Sequence, residues 1–239
     1  MKLYKIHPDT DPNVVGTYPQ VEIDSGLKPY HVNWPNSYLK IPMEGPVPFE
    51  LHVPFFKLVR NAKRTDLLNC TAVGFFRVVS SAFLEFVSKY KNHGIEVYDT
   101  IVTEGNRKLN NYHFIRFPNS MHEAYLDYPN TVWAVVSPDP HKIGNRIIRA
   151  EFSEPDRDVL NRRVKKIYQT QEKVSVVLKK LKLRDVEYDD LFLCNMGAAG
   201  GIFFSERLKE AIVDAGFTGM RFEEYYDTNQ GARIFEINT

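Results

Sequence analysis

Two separate parts of the chain show the same order of apolar and polar positions. In each part, a short apolar run is followed by serine, an amphipathic stretch, glycine and a second apolar run. A serine hydroxyl can cap the first turn of a helix, and glycine permits the left-handed backbone that ends such a unit. At a constant offset of 125 positions, Ser80 corresponds to Ser205 and Gly94 to Gly219. Both parts therefore predict a strand, a Ser-capped helix and a second strand.

Two interpretations of this pattern stay open. A true internal repeat gives two similar lobes, whereas chance alternation in two unrelated units gives the same sequence pattern. The predicted helices run from Ser80 or Ser81 to Lys91 and from Ser205 to Ala215. Runs of β-branched and aromatic residues predict the strands. These are 75–79, 95–98, 112–117, 132–137, 146–152, 191–194, 202–204, 220–222 and 233–237.

A longer apolar seam follows Pro155. Its residues recur at steps of four and three from Leu160 to Leu181, interrupted by Gln171, as on one face of an amphipathic helix. The seam predicts a long basic helix over residues 155–184. Its narrow width favours docking against the rest of the chain and leaves self-association into a homo-oligomer as the alternative. Helices and strands together predict an α+β fold with mixed, mainly antiparallel sheets.

Residues 1–54 differ in composition from the rest of the chain. They hold nine of the fourteen prolines, and proline disfavours helix at its own position and at the residue before it. Their many aromatic residues favour an extended arm packed on the body over a free tail. The remaining chain divides into an N-terminal α+β lobe (55–154), the basic helix (155–184) and a C-terminal α+β lobe (185–239). We expect one compact unit.

Charge is distributed unevenly along the chain, although the formal net charge is only +1. Residues 156–184 carry ten Lys or Arg against three Asp or Glu, whereas residues 185–239 carry four against eleven. The simplest interpretation is that these two segments attract one another within the fold. The alternative is a protein-binding surface, because complementary charges steer association and select partners.

Residue types that carry catalysis or bind metals do not occur in the spacings that such sites need. The seven histidines and two cysteines show no zinc-ligand spacing. The glycine-rich stretch 197–201 lacks the Lys and Ser or Thr of a phosphate-binding loop, and Ser80 and Ser205 occupy cap positions rather than a nucleophile elbow. The sequence therefore predicts no catalytic residue, no cofactor and no metal, and we do not expect an enzyme.

Hydropathy gives no indication of a membrane or of export. No stretch approaches the roughly 18 consecutive apolar residues of a membrane-spanning helix, and the first residues lack the apolar run of a secretory signal. We therefore expect a soluble protein that stays in the cytoplasm and has no membrane partner.

Part of the chain resembles a known family. Residues 201–212 read Gly-Ile-Phe-Phe-Ser-Glu-Arg-Leu-Lys-Glu-Ala-Ile, and residues 215–223 read Ala-Gly-Phe-Thr-Gly-Met-Arg-Phe-Glu. This pattern is similar to the C-terminal signature of a family of bacterial immunity proteins from polymorphic toxin systems. Residues 65–117 resemble the N-terminal half of that family, chiefly at Thr65–Leu68, Ser80–Phe83 and Tyr112–Phe114. The arm and the basic helix depart from the family pattern.

The resemblance implies a non-enzymatic antitoxin that binds the C-terminal toxin domain of a cognate toxin protein and neutralises it by occlusion. The shared signature implies structural residues, so it does not identify the contact surface. Because an immunity protein must discriminate its toxin from others, specificity is expected where the chain departs from the family and where charge concentrates. The candidate partner-binding residues are Arg162, Arg163, Lys165, Lys166 and Lys173 in the basic helix, and Glu223, Glu224, Tyr225, Tyr226 and Asp227 in the acidic segment.

Two other functions are alternatives. A nucleic-acid-binding regulator would use the basic helix, but the near-neutral total charge and the lack of a nucleic-acid-binding signature make nucleic acid the less favoured partner. An unrecognised enzyme would require a deep pocket that holds a carboxylate or histidine with a perturbed pKa.

Overall fold

The computed structural model describes residues 2–42, 45, 47–70, 76–92, 94–117, 125–138, 146–187, 189–194, 201–227 and 231–232. Its helices are α1 (Pro12–Val15), α2 (Ser81–Val87), α3 (Arg157–Thr170) and α4 (Glu206–Asp214), with 3-10 turns at Tyr38–Lys40 and Tyr128–Asn130. The strands are β1 (Lys2–Pro8), β2 (Val21–Ile23), β3 (Phe56–Leu58), β4 (Leu67–Leu68), β5 (Phe76–Ser80), β6 (Glu96–Asp99), β7 (Val102–Glu104), β8 (Arg107–Leu109), β9 (Tyr112–Arg116), β10 (Val132–Pro138), β11 (Arg146–Phe152), β12 (Ser175–Lys180), β13 (Leu191–Cys194), β14 (Gly201–Ser205), β15 (Met220–Asp227) and β16 (Gly231–Ala232). The predicted α+β class is confirmed.

Strands β4, β5, β9 and β6 form a four-stranded sheet in that order, and α2 follows β5 directly. Ser80 caps α2 as predicted, because its hydroxyl accepts a hydrogen bond from the Phe83 amide at 3.1 Å. The helix ends at Val87, short of the predicted Lys91. We call this sheet with α2 the N-terminal unit.

A second unit repeats this construction. Strands β13, β14, β1 and β15 lie in that order, extended by β16, and α4 follows β14. Ser205 caps α4 by accepting a hydrogen bond from the Leu208 amide at 3.1 Å. The strand at the position of β9 is here β1, from the start of the chain. This sheet with α4 is the C-terminal unit. The predicted strand 233–237 lies outside the described residues.

The strand registers of the two units agree. Leu67 lies opposite Val79 in the N-terminal unit, and Leu191 lies opposite Phe204 in the C-terminal unit, at offsets of 124 and 125 positions. The same offset relates β6 to β15 in their pairing with β9 and β1. The repeated sequence pattern therefore corresponds to a repeated structure, which the sequence pattern alone left open.

One aspartate in each unit ties the two units together. Each carboxylate accepts the hydroxyl hydrogen of its own cap serine at Oδ1 and a backbone N–H of the other unit at Oδ2. The bonds join Asp66 to Ser80 (2.8 Å) and Thr218 (2.9 Å), and Asp190 to Ser205 (2.7 Å) and Lys91 (3.2 Å). Apolar faces of α2 and α4 share one core with both sheets. The two units therefore fold as one body.

The arm covers the outer face of the N-terminal unit. Strand β2 joins the sheet β2-β3-β7-β8, and the Tyr38 ring packs edge-on against Phe114 at 5.7 Å. Arg116, almost fully buried, pairs with Glu96 at 2.9 Å and donates to arm carbonyl groups. Much of the arm thus packs on the N-terminal unit, whereas β1 belongs to the C-terminal unit.

The predicted single helix over residues 155–184 is wrong in its second half. Asp156 caps α3 through a 2.8 Å hydrogen bond from the Val159 amide, and the helix ends at Thr170. Lys173 then adopts a left-handed φ of 55°, and the chain turns back as β12.

The apolar seam gave a wrong prediction because its spacing fits the period of a helix and also that of a strand. Val174 and Leu178 lie four positions apart, as on a helix, but Val174, Val176 and Leu178 also alternate as on one face of a strand, and all three pack in one core. β-Branched valine favours the strand, since its χ1 freedom is restricted in a helix.

Strands β11, β10 and β12 form a three-stranded sheet in that order, and α3 packs on one of its faces. Ile167 of α3 and Trp133 of β10 lie in the core between them. The same core includes Leu3, Phe203 and Tyr225, so this α3 module packs on the outer face of the C-terminal unit. We use the name α3 module for residues 132–183.

Candidate functional site

Three cationic side chains form an exposed face on α3. Arg162, Lys165 and Lys166 are all exposed, and Arg162 lies three and four residues before the two lysines, which places its side chain beside both. None of them makes an ion pair with an acid among the described residues. We call these three residues the basic face. Lys173, predicted with them, lies beyond the end of the helix in the turn to β12.

Arg163 has a different environment from the basic face. Its guanidinium donates to Glu154 Oε1 at 2.6 Å and lies 4.2 Å from the centre of the Phe152 ring. Glu154 is itself buried, with 9% of its surface exposed. Arg163 therefore anchors α3 to the end of β11, and its charge is compensated.

A shallow groove runs beside the basic face. Its lining is apolar at Val159 and Ile167 and polar or charged elsewhere; the remaining lining residues are Glu154, Arg162, Arg163, Lys166, Thr170 and Gln171. Since Glu154 is paired with Arg163, the uncompensated charges at the groove are the cations. The groove can accept an acidic segment with an apolar side chain against its floor.

The fold concentrates positive charge in the α3 module. Residues 132–183 carry twelve Lys or Arg against six Asp or Glu, while the rest of the chain carries nineteen against twenty-four. The expected attraction between segments 156–184 and 185–239 is not seen among the described ion pairs. Arg163 and Lys179 pair instead with Glu154 and Glu151 of the β11 region. The molecule is therefore electrostatically polar, with its basic end in this module.

The predicted acidic surface is largely engaged within the C-terminal unit. Glu223 bonds to His7 at 2.9 Å and Glu224 pairs with Lys2 at 3.1 Å, both across the β1 to β15 pairing. Tyr225 is buried, with 6% exposed, and packs on Phe203. The prediction of Tyr225 as a surface contact is wrong, because the face of β15 that carries this ring is covered by the core of the α3 module. The side chains of Tyr226 and Asp227 lie outside the described residues.

A serine and histidine pair was missed in the sequence. Ser81 Oγ and His113 Nε2 lie 2.9 Å apart, at the first position of α2 and the neighbouring strand β9. The Nδ1 atom of His113 is buried without a hydrogen-bond partner, so no acid orients this imidazole as in a catalytic triad.

The repeat gives this pair a structural explanation. At the corresponding position of the C-terminal unit, Tyr4 of β1 donates to Glu206 of α4 at 3.4 Å. Each unit therefore ties the first residue of its helix to the neighbouring strand, with different chemistry in each. The Ser81 and His113 contact performs this structural role.

A second missed group lies on the outer face of the C-terminal unit. Lys5 lies directly opposite Glu223, and His7 lies directly opposite Arg221, in the β1 to β15 pairing. Side chains of directly opposed residues share a face of an antiparallel sheet. We call these four residues the Lys5 array. Alternation along β1 was the only signal for it, since its partner strand lies more than 200 positions away.

Burial is the largest influence on the pKa values of Lys5 and His7. It lowers the pKa of Lys5, an effect that Glu223 opposes. It also lowers the pKa of His7, where the hydrogen bond to Glu223 acts in the opposite direction and the charges of Lys5 and Arg221 add to the lowering. The pKa of His7 therefore depends on all three charged neighbours in the array.

The described residues contain no cluster of three or more His, Cys, Asp or Glu side chains that could hold a metal ion. None of the described helices is long and apolar enough to cross a membrane.

Comparisons with models of protein families and with curated proteins found no match to the chain. The immunity-protein resemblance therefore rests on the sequence motifs alone.

Proposed function

We propose that this protein is a non-catalytic inhibitor of the immunity type, which binds a cognate toxin protein through α3 and neutralises it by occlusion. The supporting observation is the basic face: Arg162, Lys165 and Lys166 are exposed, adjacent and without an ion-pair partner among the described residues. A toxin surface that carries carboxylates would supply those partners. Complementary charge of this kind speeds association and excludes like-charged competitors.

The positions that resemble the immunity family have internal roles, which is compatible with this proposal. Ser205 is a helix cap, and Leu208 and Ile212 are fully buried. Gly219 has a φ of 88°, and a Cβ there would lie 2.2 Å from the Leu67 carbonyl oxygen. These residues maintain the scaffold. Because these positions are fixed by the fold, the sequence of a separate surface helix can vary between proteins that bind different toxins.

Charge favours a protein partner over nucleic acid. A nucleic-acid-binding surface usually extends over many phosphates, and its affinity depends on that number. Here the exposed face offers three uncompensated cations, while the chain outside the α3 module carries more acids than bases. An acidic protein patch matches a surface of this size better than a polyphosphate backbone does.

The test compares the wild-type protein with a charge-reversal variant. Tagged wild type, Arg162→Glu/Lys166→Glu and a control variant are used to capture partners from the native host at moderate salt, with identification by mass spectrometry. The control, Arg107→Glu/Lys108→Glu, makes the same charge change at an exposed hairpin position of another sheet. Any recovered protein is then purified, and its toxicity and its affinity for each variant are measured.

We expect one toxin to be recovered by the wild type and the control, and to be inhibited by both. Its affinity for the α3 variant should fall at least about tenfold, because two attractive contacts become repulsive. Equal inhibition by all three proteins would reject α3 as the binding surface. Recovery of nucleic acid that is lost only in the α3 variant would support the regulator instead.

A further inference from the structure

One pair of equivalent positions on the outer faces carries side chains of very different size and charge in the two units. In the N-terminal unit, Phe76 and Phe114 stack there with ring centres 4.4 Å apart and planes within 5° of parallel. In the C-terminal unit, the corresponding residues are Gly201 and Lys5, by the 125-residue offset and the matching strand pairings. The same backbone thus carries an aromatic core pair in one unit and a glycine with a lysine in the other.

The lack of a side chain at Gly201 determines the position of the Lys5 side chain. A Cβ atom at position 201 would be 2.6 Å from Lys5 Cε and 3.2 Å from its Cγ and Cδ, so the absence of a side chain lets the lysine stem lie across β14. The Lys5 ammonium lies 5.8 Å from the centre of the buried Tyr225 ring. Lys5 is half-buried, and no described residue offers it a hydrogen-bond acceptor or an ion-pair carboxylate.

The neighbours of Lys5 add further donors. Arg221 is exposed and also has no ion pair among the described residues. The one carboxylate of the array, Glu223, is engaged by His7 at 2.9 Å and is 64% exposed at its side chain. Exposure to solvent is enough to explain why charged side chains occur at Arg221 and Glu223. It does not explain a half-buried lysine that lies over glycine without an acceptor, since Glu223 compensates the charge only in part and a partly buried ammonium without a hydrogen-bond acceptor is costly.

We propose that Lys5, His7 and Arg221 form a binding site for a small oxyanion of the phosphate or carboxylate class. Lys5 and Arg221 donate to the anion oxygens from two neighbouring strands. His7 lies between them and donates when protonated, with Glu223 stabilising the imidazolium from its other side. The site is on the C-terminal unit and does not depend on the toxin-binding function proposed for α3.

The test is an NMR titration of the whole protein with inorganic phosphate and, separately, with acetate. We expect the His7 ring signals to shift saturably with at least one anion, and the pKa of His7 to rise on binding because a nearby negative charge favours the imidazolium. Tighter binding of phosphate assigns the site to phosphorylated ligands, and tighter binding of acetate assigns it to carboxylates.

Two variants make the result specific. Lys5→Met keeps an unbranched stem over Gly201 but removes the ammonium, and it should weaken binding about tenfold or more. Arg221→Gln changes an exposed side chain and should also weaken binding, which keeps the test informative if Lys5→Met fails to fold. Lys57→Met, an exposed strand lysine paired with Glu22 in another sheet, should bind as the wild type does. No saturable shift in the wild type, or unchanged affinity in both site variants, overturns the proposal.

Discussion

Asp190 shows how one side chain can stabilise two units at once. Its carboxylate accepts hydrogen bonds from the Ser205 hydroxyl, from the Arg207 guanidinium and from the Lys91 backbone amide of the other unit. Burial raises its pKa, but the hydrogen bonds from Arg207 and Ser205 outweigh that effect and hold the pKa below the ordinary value of aspartate. The folded protein therefore binds this proton less readily than the unfolded chain does.

We predict that Asp190→Asn lowers the free energy of unfolding at pH 7 by about 1.5 to 3 kcal/mol, the usual range for a hydrogen-bonded charge. The depressed pKa means that the contribution of Asp190 is complete above the pKa of an unfolded aspartate, near 3.9. It is lost as the pH falls through the lower pKa of the folded state. The difference between variant and wild type should therefore shrink in acid, as measured by urea unfolding from pH 7 to pH 2.5.

The control for this prediction is Asp185→Asn, which changes an exposed aspartate close in sequence. It should alter the free energy of unfolding by no more than about 0.5 kcal/mol. A difference for Asp190→Asn that is constant across the pH range would contradict the role of its charge.

At the scale of elements, the end of α3 decides where the basic face stops. Gln171 has an extended backbone, and its amide still bonds to the Ile167 carbonyl oxygen. Two residues later, Lys173 occupies the left-handed region, which costs a residue with a Cβ roughly 1 kcal/mol or more. The helix, the turn and β12 therefore form a hairpin-like unit whose turn residue is not glycine.

We predict that Lys173→Gly raises the free energy of unfolding by about 0.5 kcal/mol. Glycine removes the steric cost of the left-handed backbone, and this gain is partly offset by its greater freedom in the unfolded chain. Lys165→Gly removes the same side chain type from the middle of α3 and should instead destabilise by about 1 kcal/mol. Thermal and urea unfolding of both variants provide the comparison, and a loss of stability in both would argue against the left-handed turn.

At the scale of the molecule, the repeated units share a core and exchange backbone contacts. Phe83 and Val87 of α2 and Leu208 and Ile212 of α4 are in one buried cluster with residues of both sheets. The strand that completes the C-terminal unit comes from the start of the chain. The C-terminal unit is thus incomplete without the start of the chain, and both units depend on the shared core, so we expect them to unfold together.

We predict that Leu208→Ala destabilises both units equally. Truncation of this fully buried leucine should cost about 2 to 5 kcal/mol. Hydrogen exchange measured by mass spectrometry should accelerate by the same factor in peptides from β5 and β9 as in peptides from β14 and β15. Phe83→Ala, on the other helix, is the reciprocal variant and should give the same pattern. Acceleration confined to the unit that carries each substitution would show that the units unfold independently.

The sequence correctly predicted the elements that depend on contacts between residues close together in the chain. A cap serine needs only the amides of the next turn, so Ser80 and Ser205 identified the starts of α2 and α4. The β-branched and aromatic runs identified β5, β9, β10, β11, β13 and β14, and the apolar seam after Pro155 identified the helix that carries the basic face. In the seam beyond Thr170, helix and strand periods coincided, and the turn at Lys173 decided between them.

The tertiary structure decided the features that depend on contacts between residues far apart in the sequence. The insertion of β1 beside β14 and β15 placed Lys5 and His7 opposite residues about 200 positions away, and no local period encodes such a partner. The same pairing engaged Glu223 and buried Tyr225, so an acidic segment that looked free along the sequence is occupied in the fold. By itself, the sequence determined the capped helices, about half of the strands and the first half of the basic helix, because their signals act over a few residues. Only the tertiary structure decided which charges find partners, because that depends on which strands become neighbours.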